Sequence, residues 1–181
     1  PVPVSPHGNM TDRPVVALIY DFDKTLCTRD MQEYSFIPSL GRSPGEFWGS
    51  TTVQARENRM DPVLSYLYSM VSQSARHGRV FTREELVAQG ANVELYPGVD
   101  RWFDMVDRIG DECGVDVEHY VISSGLREII EGTPISGHFK EIYACEFLYE
   151  DGRPVWVRNV VNYTTKTQFL FRISKDAPEI W

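Results

Sequence analysis

Three groups of side chains stand at spacings that suit phosphoryl transfer. Asp21 and Asp23 sit two residues apart in Asp21-Phe22-Asp23-Lys24-Thr25-Leu26, Ser123 opens Ser123-Ser124-Gly125, and Lys166 stands farther along. Asp21 could attack a phosphorus atom and form an aspartyl-phosphate, which splits one hard hydrolysis into two easier steps. Asp23 could protonate the leaving oxygen and then take a proton from the attacking water, a task that needs a carboxyl titrating near neutrality. Burial and a neighbouring carboxylate would raise it into that range. Two carboxylates repel a phosphate, so the arrangement needs positive charge, which Lys166 and a Mg²⁺ ion would supply. The Ser123 hydroxyl, with backbone amides at the following helix start, would hold the remaining phosphate oxygens. Thr25 would bond the phosphate or order the loop.

The elements that must position these groups can be read from the chain. Residues 14–20 form a continuous apolar, β-branched run, the pattern of a strand buried on both faces, and they lead straight into Asp21. A second strand is expected over 115–122 and leads into Ser123, and 126–131 reads as a helix starting from the serine hydroxyls. A shorter strand is expected over 142–145. Segments 147–150 and 155–157 flank Asp151-Gly152 as a hairpin, and 166–174 reads as a helix. From residue 31 to 97 the chain is helical. Asp61-Pro62 starts one helix, and Thr82 with Glu85 forms the capping box of another that Gly90 closes. Residues 99–109 form an amphipathic helix with Trp102, Phe103, Val106 and Ile109 on its apolar face. Phe47, Trp48, Tyr66 and Tyr68 read as ordinary helix packing. Strand, helix and strand in succession predict an α/β fold on a parallel sheet, with its chemistry at the carboxyl ends of the strands.

Composition narrows the function classes. The chain of 181 residues carries 18 Lys plus Arg against 26 Asp plus Glu, and a net charge of -8 gives no positive field for a general nucleic-acid or anionic-membrane binder. Hydrophobic residues make up 42% of the chain, which excludes disorder as its main state. No apolar stretch reaches the roughly 18 residues of a membrane span. Cys27, Cys113 and Cys145 are odd in number and far apart, which suggests neither a disulfide framework nor a structural zinc site. A reducing cytoplasm is the expected compartment. His7, His77, His119 and His138 have no partner at ligand spacing, so surface or structural roles are expected, and Cys27 is expected to pack.

In order and spacing, the Asp21-to-Leu26 motif, Ser123-Ser124-Gly125 and Lys166 closely resemble the haloacid dehalogenase superfamily of phosphatases, nearest its phosphoserine phosphatase-like branch. The resemblance covers the chain from Val15 onward. It implies a Rossmann-like core over 14–30 and 98–181 and a helical cap over 31–97 inserted after the first motif, while the Pro-rich, polar stretch 1–13 reads as a loose leader. It implies Asp21 as nucleophile, Asp23 as general acid and base, and both as ligands of Mg²⁺. Lys166 would steady the nucleophile and the phosphate, and Ser123, Ser124, Gly125 and Thr25 would bind the phosphate. Asp30 falls where the branch places an acid that contacts the substrate's amino group, and Arg127 falls where an arginine follows the second motif. The implied partner is a small phosphorylated metabolite, with no nucleic acid and no membrane.

The superfamily has a fourth, acidic motif ending another strand farther along. Fifteen residues follow Lys166, and Asp176 has no apolar strand before it, so the chain is expected to stop short of that motif. The sheet would then be incomplete at the C-terminus, with an apolar edge over 15–20 open to self-association, and turnover by this chain would be weak or absent. Two other readings stay open: a non-catalytic phosphate-binding or regulatory remnant, and a phosphotransferase of the same superfamily.

Overall fold

The computed structural model describes residues 13–76, 78 and 80–175. The leader over 1–12, with His7, and also His77 and Asp176 lie outside the described residues. Four strands form one sheet in the order β1 (Val15–Tyr20), β2 (Asp116–Leu126), β3 (Phe139–Glu150) and β4 (Arg153–Asn159). β1 and β2 pair in parallel, as do β2 and β3, whereas β3 and β4 run antiparallel. Tyr20 stands beside Val121, so Asp21 and Ser123 leave the sheet at the same end.

Several boundaries differ from those expected. β2 continues through Ser123-Ser124-Gly125 to Leu126, and helix α6 (Arg127–Glu131) begins only after it. β3 takes in both 142–145 and 147–150 as one strand. The hairpin turns on Asp151 and Gly152, at φ 48° and 74°, the paired left-handed conformation that follows strand twist.

Among the described residues, the stretch between β1 and helix α5 (Val99–Cys113) is helical or loop: α1 (Phe36–Ser39), α2 (Pro44–Asn58), α3 (Pro62–Arg76) and α4 (Arg83–Gln89). The sequence reading did not single out α2, although Ser43, Pro44 and Glu46 carry the same capping-box and first-turn proline signal that marks helix starts elsewhere. This insertion leaves and re-enters the core side by side. Cys27 bridges Leu95, Thr28 N–H donates to Glu94 O at 3.0 Å, and Tyr96 N–H donates to Leu26 O at 3.0 Å. Its last helix, α4, packs on α6.

Two expectations of burial fail. β1 lies at the sheet edge, with no strand on its outer side among the described residues, so Val15 is 56% exposed rather than buried on both faces. On α5, which packs on β2, only Phe103 of the expected apolar face is fully buried, and Ile109 is 49% exposed. What fixes α5 there is partly polar. Trp102 Nε1–H donates to Tyr20 Oη at 2.9 Å, Tyr20 Oη meets His119 Nδ1 at 2.8 Å, and His119 Nε2 meets Asp107 Oδ1 at 2.9 Å. The buried His119 thus has a structural task. No helix among the described residues is long and apolar enough to cross a membrane.

The α4–α6 contact depends on two glycines. A Cβ on Gly132 would stand 1.7 Å from Val87 O, and one on Gly90 would stand 2.3 Å from Ile129 O, both against backbone that cannot yield. Gly132→Ala is expected to lower the unfolding free energy by about 3 kcal/mol, read from denaturant titration.

Candidate active site

The residue after β1 is Asp21, and the chain then folds back on itself at once. Phe22 O accepts from the N–H groups of Thr25, Leu26 and Cys27 at 3.2, 2.9 and 3.3 Å, while Lys24 takes a left-handed φ of 57°. Phe22 is driven fully into the core. Asp21 and Asp23, on either side of it, stay at the carboxyl end of the sheet.

Asp21 is held by one oxygen. Phe22 N–H donates to Oδ1 at 2.9 Å and Lys166 Nζ lies 3.0 Å from the same atom, leaving Oδ2 unbonded among the described residues. Lys166 is the first residue of helix α7 (Lys166–Lys175). Asn162 sets its position: Asn162 Oδ1 accepts from Thr164 N–H at 3.1 Å and Thr165 N–H at 3.0 Å, and Asn162 O accepts from Lys166 N–H at 3.0 Å. The amide of Asn162 also donates to Asp61 Oδ2 at 3.2 Å, while Asp61 Oδ1 caps α3 through Val63 N–H at 2.8 Å. The turn that presents Lys166 is therefore tied to the insertion.

Asp23 is half-buried. Desolvation first, then the charges of Asp30 and Asp21, push its carboxyl up to about 7, against the opposing hydrogen bond from Met31 N–H at 2.8 Å. Its other oxygen lies against Gly125, where a Cβ would stand 2.7 Å from Asp23 Oδ2. The Cys27 thiol is 3.8 Å from Asp23 Oδ1, and burial together with that neighbouring acid pushes it up to about 12, so Cys27 stays a thiol in the core.

Ser123 is fully buried, and its Oγ accepts from Gly125 N–H at 2.9 Å. Ser124 O accepts from Tyr66 Oη–H at 2.5 Å and from the Cys145 thiol at 3.4 Å. Thr25 lies exposed in the turn after β1. Asp21, Asp23, Lys166 and the 123–125 segment thus converge. Two further residues go elsewhere. Asp30 Oδ2 is taken by Lys24 Nζ at 2.5 Å. Arg127 is spent on Glu131 at 2.8 Å, Glu141 at 3.2 Å and Ile142 O at 3.2 Å, beside a separate cavity of about 390 Å³ against Tyr143 and Phe169. Asn162 joins the site without having been expected there, although its place ahead of Thr164, Thr165 and a helix is a visible turn signal. Tyr66, expected to pack as an ordinary helix aromatic, also reaches the site, and nothing local in the sequence marks its contact with Ser124.

An acid whose pKa is higher folded than unfolded binds its proton more tightly in the folded state. Its stabilising contribution is full below the ordinary value of 3.8 and is lost as pH rises through about 7. In chelator, unfolding free energy should therefore fall across that window by up to about 4 kcal/mol from Asp23. Asp23→Asn should flatten this part of the curve.

No protein-family model matches the chain. An uncharacterized protein of Borreliella burgdorferi is 27% identical over 191 aligned residues, covering 91% of this chain and 66% of that protein. A haloacid dehalogenase family hydrolase of Salmonella enterica serovar Typhi superposes with a TM-score of 0.61 at 18% identity, over 92% of this chain and 54% of its own. A phosphoserine phosphatase, solved as a phospho-aspartyl intermediate analogue, superposes with a TM-score of 0.61 at 18% identity, over 91% of this chain and 73% of its own. The chain thus spans less than two thirds of the Borreliella protein and about half of the Salmonella hydrolase. At these identities the likeness is one of fold: the chain has the α/β fold of the haloacid dehalogenase superfamily in its phosphoserine phosphatase-like form, with an open sheet.

Proposed function

We propose that the protein hydrolyses phosphomonoesters of small metabolites, with Asp21 as nucleophile. The observation that carries this reading is the division of labour between the two acids. Lys166 and Phe22 N–H hold one oxygen of Asp21, so the other is presented for in-line attack on phosphorus. Asp23, with its carboxyl near 7, is populated both as acid and as base at neutral pH.

In the first half-reaction, Asp21 Oδ2 forms a bond to phosphorus, the bond to the ester oxygen breaks, and Asp23 gives that oxygen its proton. In the second, Asp23 takes a proton from water, the water oxygen attacks phosphorus, and the aspartyl-phosphate bond breaks to release phosphate and restore Asp21. Ser123 and the amides beside it bind the phosphoryl oxygens, and Thr25, in the turn after β1, bonds the phosphate or orders the loop. Asp30 and Arg127, both engaged by other side chains, have no part in this reading. The helical insertion acts as the cap that excludes water.

Mg²⁺ fits this donor set. No group of three His, Cys, Asp or Glu among the described residues would hold a metal alone. Magnesium, however, is commonly held by one or two carboxylates together with water and substrate oxygens. The charges of Asp21 and Asp30 that raise Asp23 mark an excess of negative charge a cation would relieve. Asp21 and Asp23 would hold the ion, which would supply positive charge to the phosphoryl oxygens. The free thiols of Cys27, Cys113 and Cys145 support a cytoplasmic location.

With Mg²⁺ present, the protein should hydrolyse p-nitrophenyl phosphate weakly, and Asp21→Asn should bring the rate down to background, since the nucleophile is lost. Unchanged turnover in that variant would remove the nucleophile assignment.

A further inference from the structure

A closed ring of contacts starts and ends at Asp23. Met31 N–H donates to Asp23 Oδ1 at 2.8 Å, and two residues on, Glu33 Oε1 accepts from Trp48 Nε1–H at 2.7 Å. The Trp48 ring packs edge-on to Tyr66 with centroids 5.8 Å apart, and Tyr66 donates to Ser124 O at 2.5 Å. Gly125, next along, lies against Asp23 Oδ2. Two aromatic side chains of the insertion are therefore linked, on both sides, to the general acid and to the segment that carries Ser123. On the insertion side, these rings border a cavity of about 190 Å³ lined by Trp48, Thr51, Thr52, Pro62, Val63 and Tyr66.

None of these six side chains is charged. The charged groups around the ring are already engaged: Lys24 with Asp30, Lys166 with Asp21, and Glu33 with the Trp48 indole. Both threonine hydroxyls donate to Trp48 O, Thr51 at 3.0 Å and Thr52 at 2.8 Å. A carboxylate or ammonium entering this cavity would lose its hydration without gaining a partner, whereas a flat apolar group would gain aromatic contact.

We infer that this cavity binds the leaving group, and that the preferred substrates are phosphomonoesters of uncharged alcohols bearing an apolar or aromatic group rather than esters of amino acids. The inference rests on the phosphatase reading, and binding and turnover separate the two. Calorimetry on Asp21→Asn should show 2-naphthyl phosphate binding about tenfold or more tighter than O-phosphoserine. Adding Trp48→Ala should close most of that gap by weakening the aryl ester. Adding Thr52→Lys, at an exposed position that threatens no packing, should narrow it by strengthening phosphoserine. Phosphoserine binding as tightly as the aryl ester, or a gap that survives both substitutions, would overturn the inference. Selective aryl binding without hydrolysis by the unsubstituted protein would instead overturn the phosphatase reading and leave the pocket standing.

Discussion

Crowding of negative charge at the end of β1 is the constraint on which the rest of this structure depends. Asp21, Asp23 and Asp30 lie within nine residues of one another, and the fold answers each differently. Asp21 receives a lysine from far along the chain, Asp30 receives the nearby Lys24, and Asp23 is drawn inward until burial favours its protonated form. Three similar carboxyls thereby become an ion-paired anion, a capped anion and a group poised near neutrality. In the proposed reaction, that separation would supply a nucleophile and an acid from residues of one type.

The long-range partners explain why the sheet, the insertion and α7 must fold together. Lys166 reaches Asp21 only because the Asn162 turn is set, and Asn162 is also bonded to Asp61 at the start of α3. Tyr66, one turn along α3, bonds the Ser124 carbonyl. The insertion is thus anchored twice near the site. It is anchored again at its base by the Cys27–Leu95 bridge and the glycine contact between α4 and α6. Motion that opened α3 away from the site would break the Tyr66 and Asp61 bonds while leaving the base intact. In the proposed reaction, this arrangement would suit a cover that closes over the substrate.

Much of this was legible in the sequence because the signals are local. A continuous apolar run ending in acids, capping residues at Thr82 and Asp61, and the Asp151-Gly152 turn each specify backbone within a few residues. The burial of β1 and α5 was not legible, since an apolar run reports what a strand can bury and not whether a neighbour covers it. The same limit applies to single side chains. Asp30 and Arg127 sit at suggestive offsets from the motifs, yet each spends its charge on a partner nearby in space. Tyr66 packs like an ordinary helix aromatic until the 123–125 segment is brought to it from 58 residues away.

Covalent participation by Asp21 is tested most directly by trapping the phosphorylated protein. Protein mixed briefly with an aryl phosphate and Mg²⁺, quenched in acid and digested would be examined by peptide mass spectrometry. The expected result is one added phosphoryl group on the peptide containing Asp21, sensitive to hydroxylamine as an acyl phosphate is. Turnover under the same conditions with that peptide unmodified, or with the phosphoryl group on another residue, would contradict it.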